Sequence, residues 1–150
     1  MVRSTSTVDE DSPAAPGRFL RHYAPSTPLV LVDGGPAALL GLAARLVERE
    51  VRVAVLSPGG ATTFPDGIGV VALGPNNDPA LVARDLYAAL RRADALGAEV
   101  LLVQTLGGSG LAEAVDDRLF RAAQGRRAGD DAGAAAGIAA LVEARRGQEG

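Results

Sequence analysis

The chain has 150 residues, 47% of them hydrophobic and 22% charged, with a formal net charge of −3. That is material for one ordinary domain with a single core, and no run of eighteen apolar residues exists to cross a membrane as a helix. Cysteine is absent, which excludes disulfides, thiol catalysis and Cys-ligated metals. All fifteen positive residues are Arg. Without Lys there is no Walker A phosphate loop and no Schiff-base chemistry. The one histidine, His22, cannot build a two-His zinc site within a chain. The Arg residues are scattered rather than gathered on one face, which argues against direct nucleic-acid binding. Met1 to Ala15 is polar and acidic with no apolar stretch, so the expectation is no secretory signal and a cytoplasmic setting.

Residues 1–12 are rich in Ser, Thr and Asp without periodicity and read as a disordered lead. Residues 13–28 form a linker marked by Pro13, Pro16, Pro25 and Pro28. Two aromatics sit inside it, in Arg18-Phe19-Leu20-Arg21-His22-Tyr23, so this linker is expected to lie against something.

From residue 29 to residue 125 the pattern is strand, turn, helix. Leu29-Val30-Leu31-Val32 is a continuous apolar run, as in a strand covered on both faces. Gly34-Gly35-Pro36 gives a turn with Pro at a helix start. Leu39, Leu42, Ala43, Leu46 and Val47 then follow the stripe of an amphipathic helix. Val51 to Leu56 and Ile68 to Leu73 read as the second and third strands. Asp78-Pro79 opens a helix that buries Leu86, Leu90, Ala93 and Leu96 and stops at Gly97. Val100 to Val103 is the fourth strand, and a helix from Leu111 to Ala122 ends at Gly125. Such alternation implies an α/β three-layer sandwich with a mostly parallel sheet of four to five strands. Residues 126–150 are an Ala/Gly/Arg tail with little to bury, expected to be mostly loose, with at most a short helix from Ala134 to Arg145.

Open α/β sheets bind ligands at the carboxyl ends of their strands. Three Gly-rich loops fall there: Asp33-Gly34-Gly35, Ser57-Pro58-Gly59-Gly60, and Gly107-Gly108-Ser109-Gly110. The last precedes a helix, so its N–H groups make it a candidate anion site. Glu113 already supplies negative charge to the same helix end, and no loop carries the dinucleotide fingerprint G-x-G-x-x-G. Short α/β connections need glycine on steric grounds alone, which is the favoured reading. Asp116-Asp117 are neighbours on a helix and point about 100° apart, so they do not converge on one atom; Asp117 next to Arg118 reads as a solvated or locally paired surface. Ser57, Thr62 and Thr63 have no nearby His or Lys base. No catalytic residue and no metal ligand set is expected in the globular part.

Ala15-Pro16-Gly17-Arg18-Phe19-Leu20-Arg21-His22-Tyr23-Ala24-Pro25 resembles the interdomain linker of the two-domain threonylcarbamoyl-AMP synthases, typically S-P-G-M-K-Y-R-H-Y-A-P. Asn77-Asp78-Pro79, Leu86-Tyr87-Ala88-Ala89-Leu90-Arg91, Asp94-Ala95-Leu96-Gly97-Ala98 and Gly108-Ser109-Gly110-Leu111-Ala112 are similar to the C-terminal, Rossmann-like domain of the same enzymes. The similarity runs in order from about Ala15 to Ala123.

The resemblance implies a catalytic module outside this sequence, which condenses L-threonine, bicarbonate and ATP into threonylcarbamoyl-AMP for tRNA modification. It further implies that the linker folds over the catalytic cleft, with Arg21, His22 and Tyr23 as the contact candidates. Arg18, Phe19 and Leu20 depart from the family's Met, Lys and Tyr. On this reading the chain holds no cofactor itself, ATP and Mg belong to the catalytic domain, and that domain, in cis or in trans, is the partner. No membrane partner is expected. Two rival readings are a free-standing nucleotide- or phosphate-binding module and a non-catalytic interaction domain.

Overall fold

A computed structural model describes residues 27–57, 64, 66–72 and 79–149. Its first strand, β1 (Leu29–Val32), is buried along its whole length, as its uninterrupted apolar run requires. Helix α1 (Gly35–Glu48) follows, then β2 (Val53–Ser57) and β3 (Ile68–Ala72). Helix α2 (Pro79–Asp94) leads to β4 (Val100–Gln104), and α3 (Leu111–Ala122) leads to a two-residue strand, β5 (Arg127–Ala128). Helix α4 (Ala132–Glu149) completes the described chain.

The strands form one parallel sheet in the order β3-β2-β4-β1-β5. Leu29 lies opposite Leu101, Val53 opposite Val100 and also Ile68, and Leu31 opposite Arg127. Because side chains alternate along a strand, each apolar run feeds two cores. Leu29, Leu31, Leu56, Leu101 and Val103 pack beneath α2 and α3, against Leu86, Leu90, Val115 and Leu119. Val30, Val32, Val53, Val55 and Leu102 pack on the other face with Leu39, Leu42 and Leu46 of α1. The α/β three-layer expectation therefore holds.

The chain beyond Gly125 differs from the loose tail expected of it. Ala135, Ile138 and Val142 of α4 are buried against the α1 face of the sheet. Their i, i+3, i+7 spacing is a narrow stripe, and the small residues around it let the helix lie close. Asp131 caps the helix by accepting the Ala134 N–H at 2.7 Å. Asp130 accepts from Arg45 Nε at 2.8 Å and so ties the start of α4 to α1. Gly41 makes that contact possible: a Cβ there would sit 2.1 Å from Asp130 Oδ2.

Candidate functional site

β1 and β4 are neighbours, yet the chain leaves β1 toward α1 on one face and leaves β4 toward α3 on the other. This divergence is a topological switch point, where open parallel sheets place their ligand crevice. The loop after β1 contributes Asp33, Gly34 and Gly35. The loop after β4 contributes Thr105, Leu106 and the candidate anion loop, Gly107 to Gly110. Glycine is needed at the second of these, since Gly107, Gly108 and Gly110 have φ of 74°, 90° and 66°.

Several polar groups of this crevice pair with one another. Asp116, one turn into α3, accepts the Leu106 N–H at 2.8 Å and the Gly107 N–H at 2.9 Å. Its carboxylate takes up these two N–H donors beside the candidate anion loop, and Glu113 puts a negative charge in the first turn of the same helix. Asp33 is held by Arg127 of β5, with Nε to Oδ2 at 3.0 Å and Nη2 to Oδ1 at 2.7 Å. The hydrogen bonds from Arg127 keep the Asp33 carboxyl below its ordinary pKa against the opposing effect of desolvation, with the Arg127 charge and Thr105 helping. The guanidinium also lies 5.4 Å from the centre of the Phe120 ring. Asp33 is thus a fixed anion with a fixed partner, not a poised base. Asp117 is a locally paired surface residue, its partner being Arg121 at 2.9 Å, one helical turn on.

Ser57 and Gln104 end β2 and β4, and the alternation of their strands turns both toward α1. Both are buried, and Ser57 Oγ and Gln104 Oε1 have no hydrogen-bond partner among the described residues. The sequence signal for them is a polar residue closing an apolar run. No described residue offers Ser57 a base. Among the described residues no cluster of His, Asp and Glu has the makings of a metal site.

The opposite end of the sheet carries a second polar group. Arg146 of α4 binds Glu99 through two bonds, with Nη2 2.6 Å from Oε1, and also donates to the Glu50 carbonyl at 3.0 Å. Glu99 accepts the Arg52 N–H as well. The Arg146 hydrogen bonds outweigh desolvation and bring the Glu99 pKa to about 2. Here a cleft of about 260 Å³ is lined by Thr27, Pro28, Arg52, Asp94, Glu99 and Arg146. Thr27 donates its N–H to Asp94 Oδ1 at 2.9 Å. The linker candidates Arg21, His22 and Tyr23 lie outside the described residues.

The family model for threonylcarbamoyl-AMP synthase, C-terminal domain, matches residues 1–124. The chain belongs to that family. A threonylcarbamoyl-AMP synthase of Bacillus subtilis is 29% identical over 116 residues, a match covering 77% of this chain and 34% of the relative. One from Pyrococcus abyssi is 35% identical over 116 residues, covering 75% and 32% respectively. The chain therefore spans about a third of the length of these relatives. Among solved structures, P. abyssi Sua5 complexed with L-threonine superposes with a TM-score of 0.58 at 32% identity, covering 71% of this chain and 31% of that one. A variant of that protein with adjacent His and Tyr replaced by Ala gives a TM-score of 0.56 at 30% identity, covering 69% of this chain and 29% of that one. The family's C-terminal domain thus accounts for β1 through α3, whereas β5 and α4 lie beyond the matched residues. No helix among the described residues is long and apolar enough to cross a membrane.

Proposed function

We propose that this chain is the accessory part of a threonylcarbamoyl-AMP synthase and acts on a catalytic domain, supplied in cis or in trans. The observation that carries the proposal is a match confined to the C-terminal domain and to about a third of the relatives' length. The reaction supported is formation of threonylcarbamoyl-AMP from L-threonine, bicarbonate and ATP, serving tRNA modification. ATP and Mg belong to the catalytic domain.

In this reading the linker is a lid. Arg21 faces phosphate, because a guanidinium binds phosphate oxygens in a bidentate, charge-assisted way. Tyr23 gives a rigid apolar face with a polar tip that closes the cleft against water. The adjacent His and Tyr singled out in the variant of P. abyssi Sua5 support attention to His22-Tyr23 here. The internal pairing of Asp33, Arg127 and Asp116 favours a supporting role for the globular part over ligand binding by its Gly-rich loops.

The test is product formation from L-threonine, bicarbonate and ATP with the purified chain, with a family catalytic domain, and with both. Product from the mixture well above either component alone supports the proposal. Product from the chain alone, abolished by a substitution within it, overturns it.

A further inference from the structure

A buried polar atom without a partner destabilises a fold, so a strand that ends on one calls for a reason. β2 and β4 both do: Ser57 is 2% exposed and Gln104 4%, and Ser57 Oγ and Gln104 Oε1 have no hydrogen-bond partner among the described residues. Gln104 lies opposite Val32 in the register, and Leu56 opposite Val103, which sets Ser57 beside Gln104 on the neighbouring strand. Side chains alternate along a strand, so the two share a face with Val55 and Leu102, the face that α1 covers. α1 carries the chain from β1 back across that face to β2, so it starts at the strand ends, just beyond Val32. Nothing neutralises its first turn: Gly34 gives no side-chain cap, and the turn holds no acid. Gly35 and Ala37 there carry N–H groups with no helical carbonyl to receive them, and the helix dipole adds partial positive charge. Asp33, the acid of the same loop, falls on the opposite face, where Arg127 holds it beside the Phe120 ring.

We propose that the first turn of α1, together with Ser57 and Gln104, binds a ribose phosphate of the kind a nucleotide carries. The phosphate sits on the N–H groups of the helix start, which suit an anion without any cationic side chain. The sugar hydroxyls go to the buried pair. Gln104 Oε1 is an acceptor and calls for an O–H donor, while the Ser57 hydroxyl both donates and accepts. A ribose phosphate brings the anion and the hydroxyls in one molecule. Both polar side chains are then kept at a loss of stability that the bound ligand offsets. The inference is independent of the lid, because every residue in it belongs to the described body. It also leaves the supporting role in place, since strand ends and a helix turn hold the ligand, away from the loop that Asp116 ties down.

The experiment uses the full chain with no catalytic domain added, so that the ATP site of such a domain is absent. AMP, ribose 5-phosphate and inorganic phosphate are titrated by calorimetry, and melting temperatures are recorded for each variant. AMP and ribose 5-phosphate should bind about tenfold or more tightly than inorganic phosphate, through the added hydroxyl contacts. Ser57→Ala and Gln104→Leu should each weaken AMP binding about fivefold. Both should melt at or above the wild-type temperature, because each removes a buried atom that lacks a partner. Ala37→Glu, at an exposed position, puts a carboxylate in the first turn of α1. It should weaken AMP about threefold or more without lowering the melting temperature. No AMP binding at millimolar concentration overturns the proposal, and so does equal affinity for AMP and inorganic phosphate. AMP binding untouched by Ser57→Ala and Gln104→Leu places the nucleotide elsewhere and overturns it too. A lower melting temperature in both of those variants would show that the protein itself holds the two side chains, which also overturns it.

Discussion

Arg127 grips Asp33 across 94 residues of chain, through two N–H···O bonds of 3.0 and 2.7 Å. The pair fastens the two-residue strand β5 to the end of β1, alongside backbone bonds from the N–H groups of Leu31 and Asp33 and a side-chain bond from Arg126 Nη1 to the Leu29 carbonyl. Both side chains are about half exposed, at 48% and 47%. Solvent screening therefore limits the pair to about 1 kcal/mol or less. Arg127→Ala should lower unfolding stability by that amount, and high salt should remove part of the difference. A denaturant titration giving a loss above about 3 kcal/mol would contradict this assignment.

Glu99 predicts an acid limb. Arg146, donating two hydrogen bonds, holds its folded-state pKa at about 2, whereas an unfolded Glu titrates near 4.3. A depressed carboxylate contributes stability that is fully present above the unfolded value and disappears as pH falls through the folded one. The contribution should thus decline between about pH 4.5 and pH 2. Glu99→Gln should be less stable than wild type at pH 7, and the two should converge toward pH 2. Parallel stability curves over that window would refute the ion pair's part in acid unfolding.

Asp116 is predicted to hold the glycine loop closed. Removing its carboxylate leaves the Leu106 and Gly107 N–H groups without their acceptor. Charge-assisted hydrogen bonds are worth about 1.5–3 kcal/mol, so Asp116→Ala should destabilise by an amount at the lower end of that range, water replacing the bond to exposed Gly107. Amide exchange at Leu106 and Gly107 should quicken in step. A thermal melt within error of wild type would show that the loop holds its shape without Asp116.

Most of the sheet was legible because its strands are short apolar runs between turn residues. Val100 to Val103 sits between Gly97 and Gly107, and no helix period fits four residues. α1 and α2 were equally plain from Leu39, Leu42 and Leu46 and from Leu86, Leu90 and Ala93. α4 was not, since its buried residues, Ala135, Ile138 and Val142, lie in a stretch of Ala and Gly, and their partners on α1 are far away in sequence. β5 has no pattern of its own; Arg127 and Ala128 are a strand because β1 and Asp33 hold them. The anion-loop expectation missed Asp116 because nothing in the spacing says that a helical carboxylate folds back onto Leu106 and Gly107.

Gly41 is where α1 and the start of α4 touch. A methyl group at this position would displace the Asp130 carboxylate and break its 2.8 Å bond to Arg45. Displacing Asp130 from a half-exposed pair costs little on its own, and crowding adds strain, so Gly41→Ala should lose about 1–3 kcal/mol despite the better helix propensity of Ala. Gly41→Ala combined with Asp130→Ala should recover part of the loss. A stabilised single variant would show that Asp130 moves aside freely.

The lid claim meets its most direct test in Arg21. With a family catalytic domain supplied, turnover should be compared for the wild-type chain and Arg21→Ala, with binding and melting temperature measured alongside. Losing one charge-assisted contact to phosphate should reduce turnover about tenfold or more. The melting temperature should stay the same, because Arg21 lies before the first strand at Leu29. Equal turnover for the two chains, with binding to the catalytic domain retained, would contradict the lid and leave the chain an interaction domain.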